Sequence, residues 1–271
     1  MSKKLGFIGA GNMASAIIGG IIGSGVFNAS QIYTSDINKD LLKNIAEKYG
    51  VQTTFSNIEV VKSSDVIFLC VKPNIYGMVI NEIKNHVDNQ KIMVSIAAGK
   101  SICQMNKAFN KEVKIIRTMP NTPALVGLGM TAICPAKNIP TEDAKLILSI
   151  FKSIGKAEML PENLFDAFIG VAGSSPAYVY MLIETMADAG VKFGLTRDIA
   201  LNFSAQTVLG AAQMVLETGV HPAALKDAVC SPGGTTIAAV TELEAQGFRN
   251  AIIQAITACV EKSIKMGEQI P

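Results

Sequence analysis

Three stretches of the chain carry residue types at spacings suited to chemistry. In the first, Lys4–Ala14, Leu5, Phe7 and Ile8 read as a short buried strand that stops at Gly9. Gly9-x-Gly11-x-x-Ala14 then turns the chain into a helix over 12–22. That spacing suits a dinucleotide. Gly9 allows a tight turn, Gly11 lets backbone N–H groups approach a pyrophosphate with no Cβ in the way, and Ala14 keeps helix and strand close. The helix start adds unpaired N–H groups and the positive end of its dipole.

The second stretch, Ser35-Asp36-Ile37-Asn38-Lys39, falls about 20 residues further on, where such folds meet the adenosine ribose. Ser35 and Asp36 are neighbours on extended chain and point opposite ways. Ser35 facing the ribose, helped by Lys39, suits the 2′-phosphate of NADP, whereas Asp36 facing it suits NAD. The residues alone leave both open. The third stretch is Cys230-Ser231-Pro232-Gly233-Gly234-Thr235-Thr236. It reads either as an interhelical loop with a threonine capping the next helix, or as a carboxylate cradle of successive N–H groups beside a threonine hydroxyl.

Strand and helix signals alternate from residue 4 to about 160. Strands are expected at 31–34, 51–53, 65–71, 91–96, 113–117 and 130–134, with helices between them and a closing segment at 155–160. The run 65–71, DVIFLCV, is almost wholly apolar, as a strand covered on both faces requires. This alternation predicts an α/β fold: a doubly wound, parallel sheet over 1–161. Its carboxyl strand ends, at Gly9, Ser35, Val71-Lys72-Pro73, Ala97-Ala98 and Thr118–Asn121, would line one crevice. From 162 to 271 strand signals vanish and helices are expected at about 198–218, 236–244 and 248–266. Ala167–Ile183 carries no charge, which predicts a helix broken by its glycines and buried all round, partly against a second subunit. Ala205, Gly210, Ala211 and Ala212 are expected to allow close helix packing.

The bulk numbers exclude several classes. The chain has 271 residues, with 24 basic and 22 acidic residues interspersed, so a nucleic-acid partner is not expected. Five cysteines without a C-x-x-C pair favour reduced thiols and a cytoplasmic location. Two histidines without clustered ligands argue against a metal site. Lys3-Lys4 before an apolar run superficially resembles a secretory leader. Gly6, Gly9, Gly11 and Asn12 interrupt that run, so no leader is expected, and Gly170, Gly173, Ser174-Ser175 and Pro176 interrupt 167–183, so no membrane span is expected there.

Several further stretches together resemble the pyrroline-5-carboxylate reductases: FIGAGNMA (7–14), VKP (71–73), SIAAG (95–99), MPNTP (119–123), GSSPAY (173–178) and HPAALKDAVCSPGGTTIAAVTELE (221–244). The last is the family's long signature. The resemblance spans essentially the whole chain and implies a Rossmann-like sheet domain followed by an all-α dimerisation domain. It implies that Ile8, Gly9, Ala10, Gly11, Asn12, Met13, Ser35, Asn57, Val71, Lys72, Pro73, Ala97, Ala98 and Asn121 hold NADPH, with NADH as the alternative. It also implies that Val229, Ser231, Gly233, Gly234, Thr235 and Thr236 hold 1-pyrroline-5-carboxylate. The substrate carboxylate would lie on backbone amides and the catalytic Thr236 hydroxyl on the ring nitrogen. Family members form homodimers or assemblies of dimers. Asp36 departs from an NADP-only pattern. A β-hydroxyacid dehydrogenase shares the layout but needs a lysine soon after a Gly-rich turn, and here none follows Gly170–Ser175 until Lys192.

Overall fold

The computed structural model describes residues 3–268. Its strands are β1 (Leu5–Ile8), β2 (Ile32–Ser35), β3 (Gln52–Thr54), β4 (Val66–Leu69), β5 (Ile92–Ser95), β6 (Lys114–Met119), β7 (Gly129–Pro135) and β8 (Gly155–Met159). They form one sheet in the order β3-β2-β1-β4-β5-β6-β7-β8. Helices α1 (Asn12–Gly23), α2 (Lys39–Tyr49), α3 (Asn57–Ser63), α4 (Tyr76–Ile83), α5 (Ile102–Phe109) and α6 (Thr141–Lys152) connect them.

Alternate side chains of each central strand feed opposite faces, as a period of two demands. Leu5, Phe7, Val66 and Phe68 join residues of α1, α2 and α6 in one apolar layer. Ile67, Leu69 and Met93 join residues of α3, α4 and α5 in the other. Phe7 stacks on Phe68 with ring centroids 4.6 Å apart, and Phe151 of α6 meets Phe68 edge-on. The sheet is therefore wound on both sides.

One expectation fails. The sheet is not parallel throughout: β7 pairs antiparallel with β6, Met119 lying opposite Ala132, and β8 then pairs parallel with β7. The cause is the short connection after β6, a 3-10 turn over Thr122–Val126. A parallel crossover needs a dozen or more residues, usually including a helix, so a turn this short can only reverse the chain.

By its internal packing the chain falls into two compact units. One contains the sheet up to Ser174 together with the segment from Cys259 onward; the other is Ser175–Ala258. Arg117 of β6 explains why the first unit continues past the last strand. It pairs with Glu162 at 3.1 Å and lies 4.5 Å over the ring of Phe165, while Glu162 also accepts from the Ile102 amide.

After the sheet come α7 (Phe165–Phe168), a π turn over Ile169–Gly173, α8 (Ser175–Lys192), α9 (Arg197–Thr218), α10 (Pro222–Ala228), α11 (Thr235–Ala245) and α12 (Phe248–Glu268). The break expected within 167–183 is this π turn. In the second unit the burial differs sharply from the sheet. Only Ala187 of α8 and Ala200 and Ser204 of α9 are buried, and no residue of α11 is. The uncharged run expected to be buried all round exposes Tyr180 and Met181 within the single chain. Close helix packing occurs where α8 meets α9, at Gly190 against Ala200, whereas Gly210 faces open space. By length and composition α9 is the one described helix that could cross a membrane.

Candidate active site

Strands β2, β1, β4, β5 and β6 run parallel, so their carboxyl ends share one edge of the sheet. At the centre of that edge Gly9 adopts a φ of +103°, and a Cβ there would lie 2.6 Å from the Cys70 carbonyl. Only glycine fits on both counts. Its amide donates to the Ser35 carbonyl and the Cys70 amide to the Ile8 carbonyl, which locks the turn to both neighbouring strands. A Cβ on Gly11, by contrast, would meet nothing within 4 Å. The space over Gly11 is open, as close approach of a ligand to the backbone requires.

The helix starts differ in how their first amides are satisfied. Asn38, Ser56 and Ser101 cap α2, α3 and α5 through their side chains. Helix α1 has Gly11 at its cap position, no side-chain acceptor and no acid in its first turn. The first amides of α1 and its positive dipole end are thus left for an anion.

Ser35 and Asp36 do point apart, and it is Asp36, not Ser35, that lies on the glycine-rich turn. The Ser35 side chain is fully buried and its hydroxyl donates to the Asn57 Oδ1 at 2.7 Å, while the Asn57 amide donates to Glu82 at 2.8 Å. Asp36 folds over the glycine-rich turn, accepting from the Ala10 amide and, with its other oxygen, from that of Asn38. Ala10, Asn12 and Met13 belong to the same turn and helix start. Val71, Lys72 and Pro73 follow β4 directly, and Ala97 and Ala98 follow β5. Asn121 follows β6, but its amide already bridges two backbone groups, donating to the Ala172 carbonyl and accepting from the Met130 amide. Behind this edge, Tyr76 donates to the Leu69 carbonyl, and burial pushes the Cys70 and Tyr76 acid groups up.

The loop 229–236 has its own geometry. His221 Nδ1 accepts from the Ala223 amide and caps α10. The chain then turns through Gly233 at φ +67°, and the Gly234 amide donates to the Ser231 carbonyl. A Cβ on Gly234 would lie 2.3 Å from the Ser231 hydroxyl. Neither threonine caps α11: Gly234 holds the cap position with no side-chain acceptor, and the first turn has no acid. The α11 start therefore repeats the α1 start, with exposed amides after glycines and the Thr236 side chain in the first turn. Val229 and Ser231 stand exposed beside it.

Two residues near the sheet edge escaped the sequence reading. Glu82, which holds the Asn57 amide, looks like any acid on the wet face of a helix. Lys100 follows Ala97-Ala98-Gly99, where Gly99 at φ +70° directs the chain into α5. It is only 9% exposed, and burial pulls its ammonium pKa below the usual lysine range. The unusual cue was a lysine directly after the glycine of the turn that follows β5.

Residues 162–266 match the family model described as pyrroline-5-carboxylate reductase dimerisation, and residues 4–99 one described as NADP oxidoreductase, coenzyme F420-dependent. The pyrroline-5-carboxylate reductase of Escherichia coli K12 is 48% identical over 99% of this chain and 100% of its own length. Among solved structures, the Coxiella burnetii pyrroline-5-carboxylate reductase superposes with a TM-score of 0.91 at 34% identity, covering 98% of this chain and 99% of that one. A Plasmodium falciparum pyrroline carboxylate reductase with NADP bound gives 0.89 at 35% identity, covering 98% of both chains.

Proposed function

The chain belongs to the pyrroline-5-carboxylate reductase family of oxidoreductases, and from that premise we propose that it reduces 1-pyrroline-5-carboxylate to L-proline with NADPH. The observation that carries this reading is the α11 start, where a glycine pair leaves first-turn amides uncapped beside the Thr236 hydroxyl. A small carboxylate matches those donors in charge and number.

The residues at the sheet edge fit a nicotinamide dinucleotide. The open space over Gly11 and the uncapped α1 start suit its pyrophosphate, and Ser35 with Asn57 suits its adenosine end. When bound, the nicotinamide supplies the hydride. We assign Ile8–Met13, Val71–Pro73, Ala97, Ala98 and Asn121 to holding it. Asn121 would act by bracing the edge, since its side chain is already engaged.

On the substrate side, the amides of Gly233–Thr236 hold the carboxylate, and Val229 and Ser231 flank the ring. Thr236 directs the ring nitrogen. A cyclic imine is basic enough to be protonated before attack, so the chain needs no strong general acid, and orientation carries most of the rate. NADPH as the donor is supported by the NADP-bound relative and the NADP oxidoreductase family model, while Asp36 on the glycine loop leaves NADH as the alternative. The exposed apolar residues of α8 and α9 and the dimerisation family model support a homodimer, and five free cysteines fit a cytoplasmic location.

One assay tests the proposal: NADPH absorbance followed with pyrroline-5-carboxylate and, in the reverse direction with NADP, with 3-hydroxy acids. Oxidation of one NADPH per proline formed supports the reductase. Activity on 3-hydroxy acids alone, or nucleotide binding with no oxidation, refutes it.

A further inference from the structure

Between α4 and α5 lies a cavity of about 740 Å3, bounded on one side by Met266 of α12. Its lining is mostly apolar, and its buried polar groups other than Lys100 are engaged. The Tyr76 hydroxyl donates to the Leu69 carbonyl. Gln104 accepts from the Ser101 amide and donates to the Gly267 carbonyl, and the α5 start is closed by Ser101 and Glu162. Lys100 is the exception. It lines the cavity, is 91% buried by its 9% exposure, and has no hydrogen-bond or ion-pair partner among the described residues. An ammonium offers three donors and no acceptor, and a buried charge without a counter-ion is costly. Lys72 adds a second positive group to the same lining.

We propose that this cavity binds a small organic anion, with its carboxylate or phosphate on Lys100 and its apolar stem along Tyr76, Ile80 and Met105. Tyr76, Ile80, Met105 and Met266 supply apolar surface that a free inorganic ion would not use. The inference does not depend on the reaction proposed above, although Lys72 and Pro73 of the lining are also assigned to the nucleotide, which is why the titration is run with and without NADPH.

Calorimetric titration of the full chain tests it, with phenyl phosphate, benzoate and inorganic phosphate as probes, each with and without saturating NADPH. One phenyl phosphate per chain should bind in the presence of NADPH, and inorganic phosphate about tenfold more weakly because it lacks the stem. Lys100→Met should weaken phenyl phosphate by about tenfold or more, and Lys100→Arg should restore it. Binding of benzoate as well as phenyl phosphate assigns the site to organic anions generally; binding of phenyl phosphate alone assigns it to phosphate monoesters. Binding that vanishes with NADPH and persists in Lys100→Met belongs to the glycine-rich turn and overturns the proposal, as does the absence of binding. Lys100→Met removes a buried charge, so its melting temperature should not fall.

Discussion

The sheet unit and the helical unit bury their apolar residues in opposite ways. In the sheet unit, Phe7, Phe68 and Phe151 have essentially no exposure, and helices cover both faces. In Ser175–Ala258, a 22-residue helix buries two residues, while Met181, Phe203 and Leu216 stand open. A soluble helix that is apolar on most sides must be covered. The first unit thus satisfies its own hydrophobic requirement within one chain, and the second calls for another copy. The two uncapped glycine starts, one in each unit, show the reverse: they are alike where the packing is not.

Mutations can break this contrast. The largest effect is expected in the sheet. Phe68→Ala removes a fully buried ring that Phe7 stacks upon, and should cost about 3–5 kcal/mol in chemical denaturation. Met181→Ala, on an exposed face, should cost far less when the protein is measured at dilutions that separate its copies. Met181→Asp should instead change the assembly, shifting sedimentation from dimer towards monomer while leaving the near-ultraviolet signature of the sheet intact. A dimer unaffected by this charge would remove the face from the interface.

A smaller effect is expected at the nucleotide end. Glu82 holds the Asn57 amide and sets a carboxylate at the end of the Ser35–Asn57 chain. Glu82→Gln should raise the preference for NADPH over NADH by about three- to tenfold, since one negative charge near a 2′-phosphate is removed. An unchanged ratio would show that the 2′-phosphate lies elsewhere. Least in size is a pH effect. Burial raises the Cys70 thiol above its unfolded value, so the folded chain holds that proton more tightly. The associated stability is fully present below the unfolded pKa of about 8.5 and is lost as pH rises above it. Unfolding midpoints should therefore fall from about pH 8.5 upward, and Cys70→Ala should flatten that decline.

Much of this architecture was legible in local sequence because local physics sets it. Gly9, Gly11 and Ala14 state the turn by their spacing, and 65–71 announces a covered strand by lacking polar residues. The antiparallel β7 was missed because alternation of strands and helices suggests direction only through crossover length, and the nine residues after β6 are too few for a crossover. The helix expected to be buried is exposed in one chain because composition reports that a face must be covered, without saying by what. Of the two readings of 230–236, the threonine cap is set aside because Gly234 itself occupies the cap position of α11. Glu82 and Lys100 carry no periodic signal, and their roles emerge only from what the fold sets beside them.

The most direct test of the central assignment is Thr236→Ala, with turnover on pyrroline-5-carboxylate and NADPH dissociation measured on the same preparation. A residue that orients the substrate from the α11 start should lower kcat by about 100-fold and leave the NADPH dissociation constant within about twofold. Full turnover in this variant, or a loss confined to nucleotide affinity, would contradict the account.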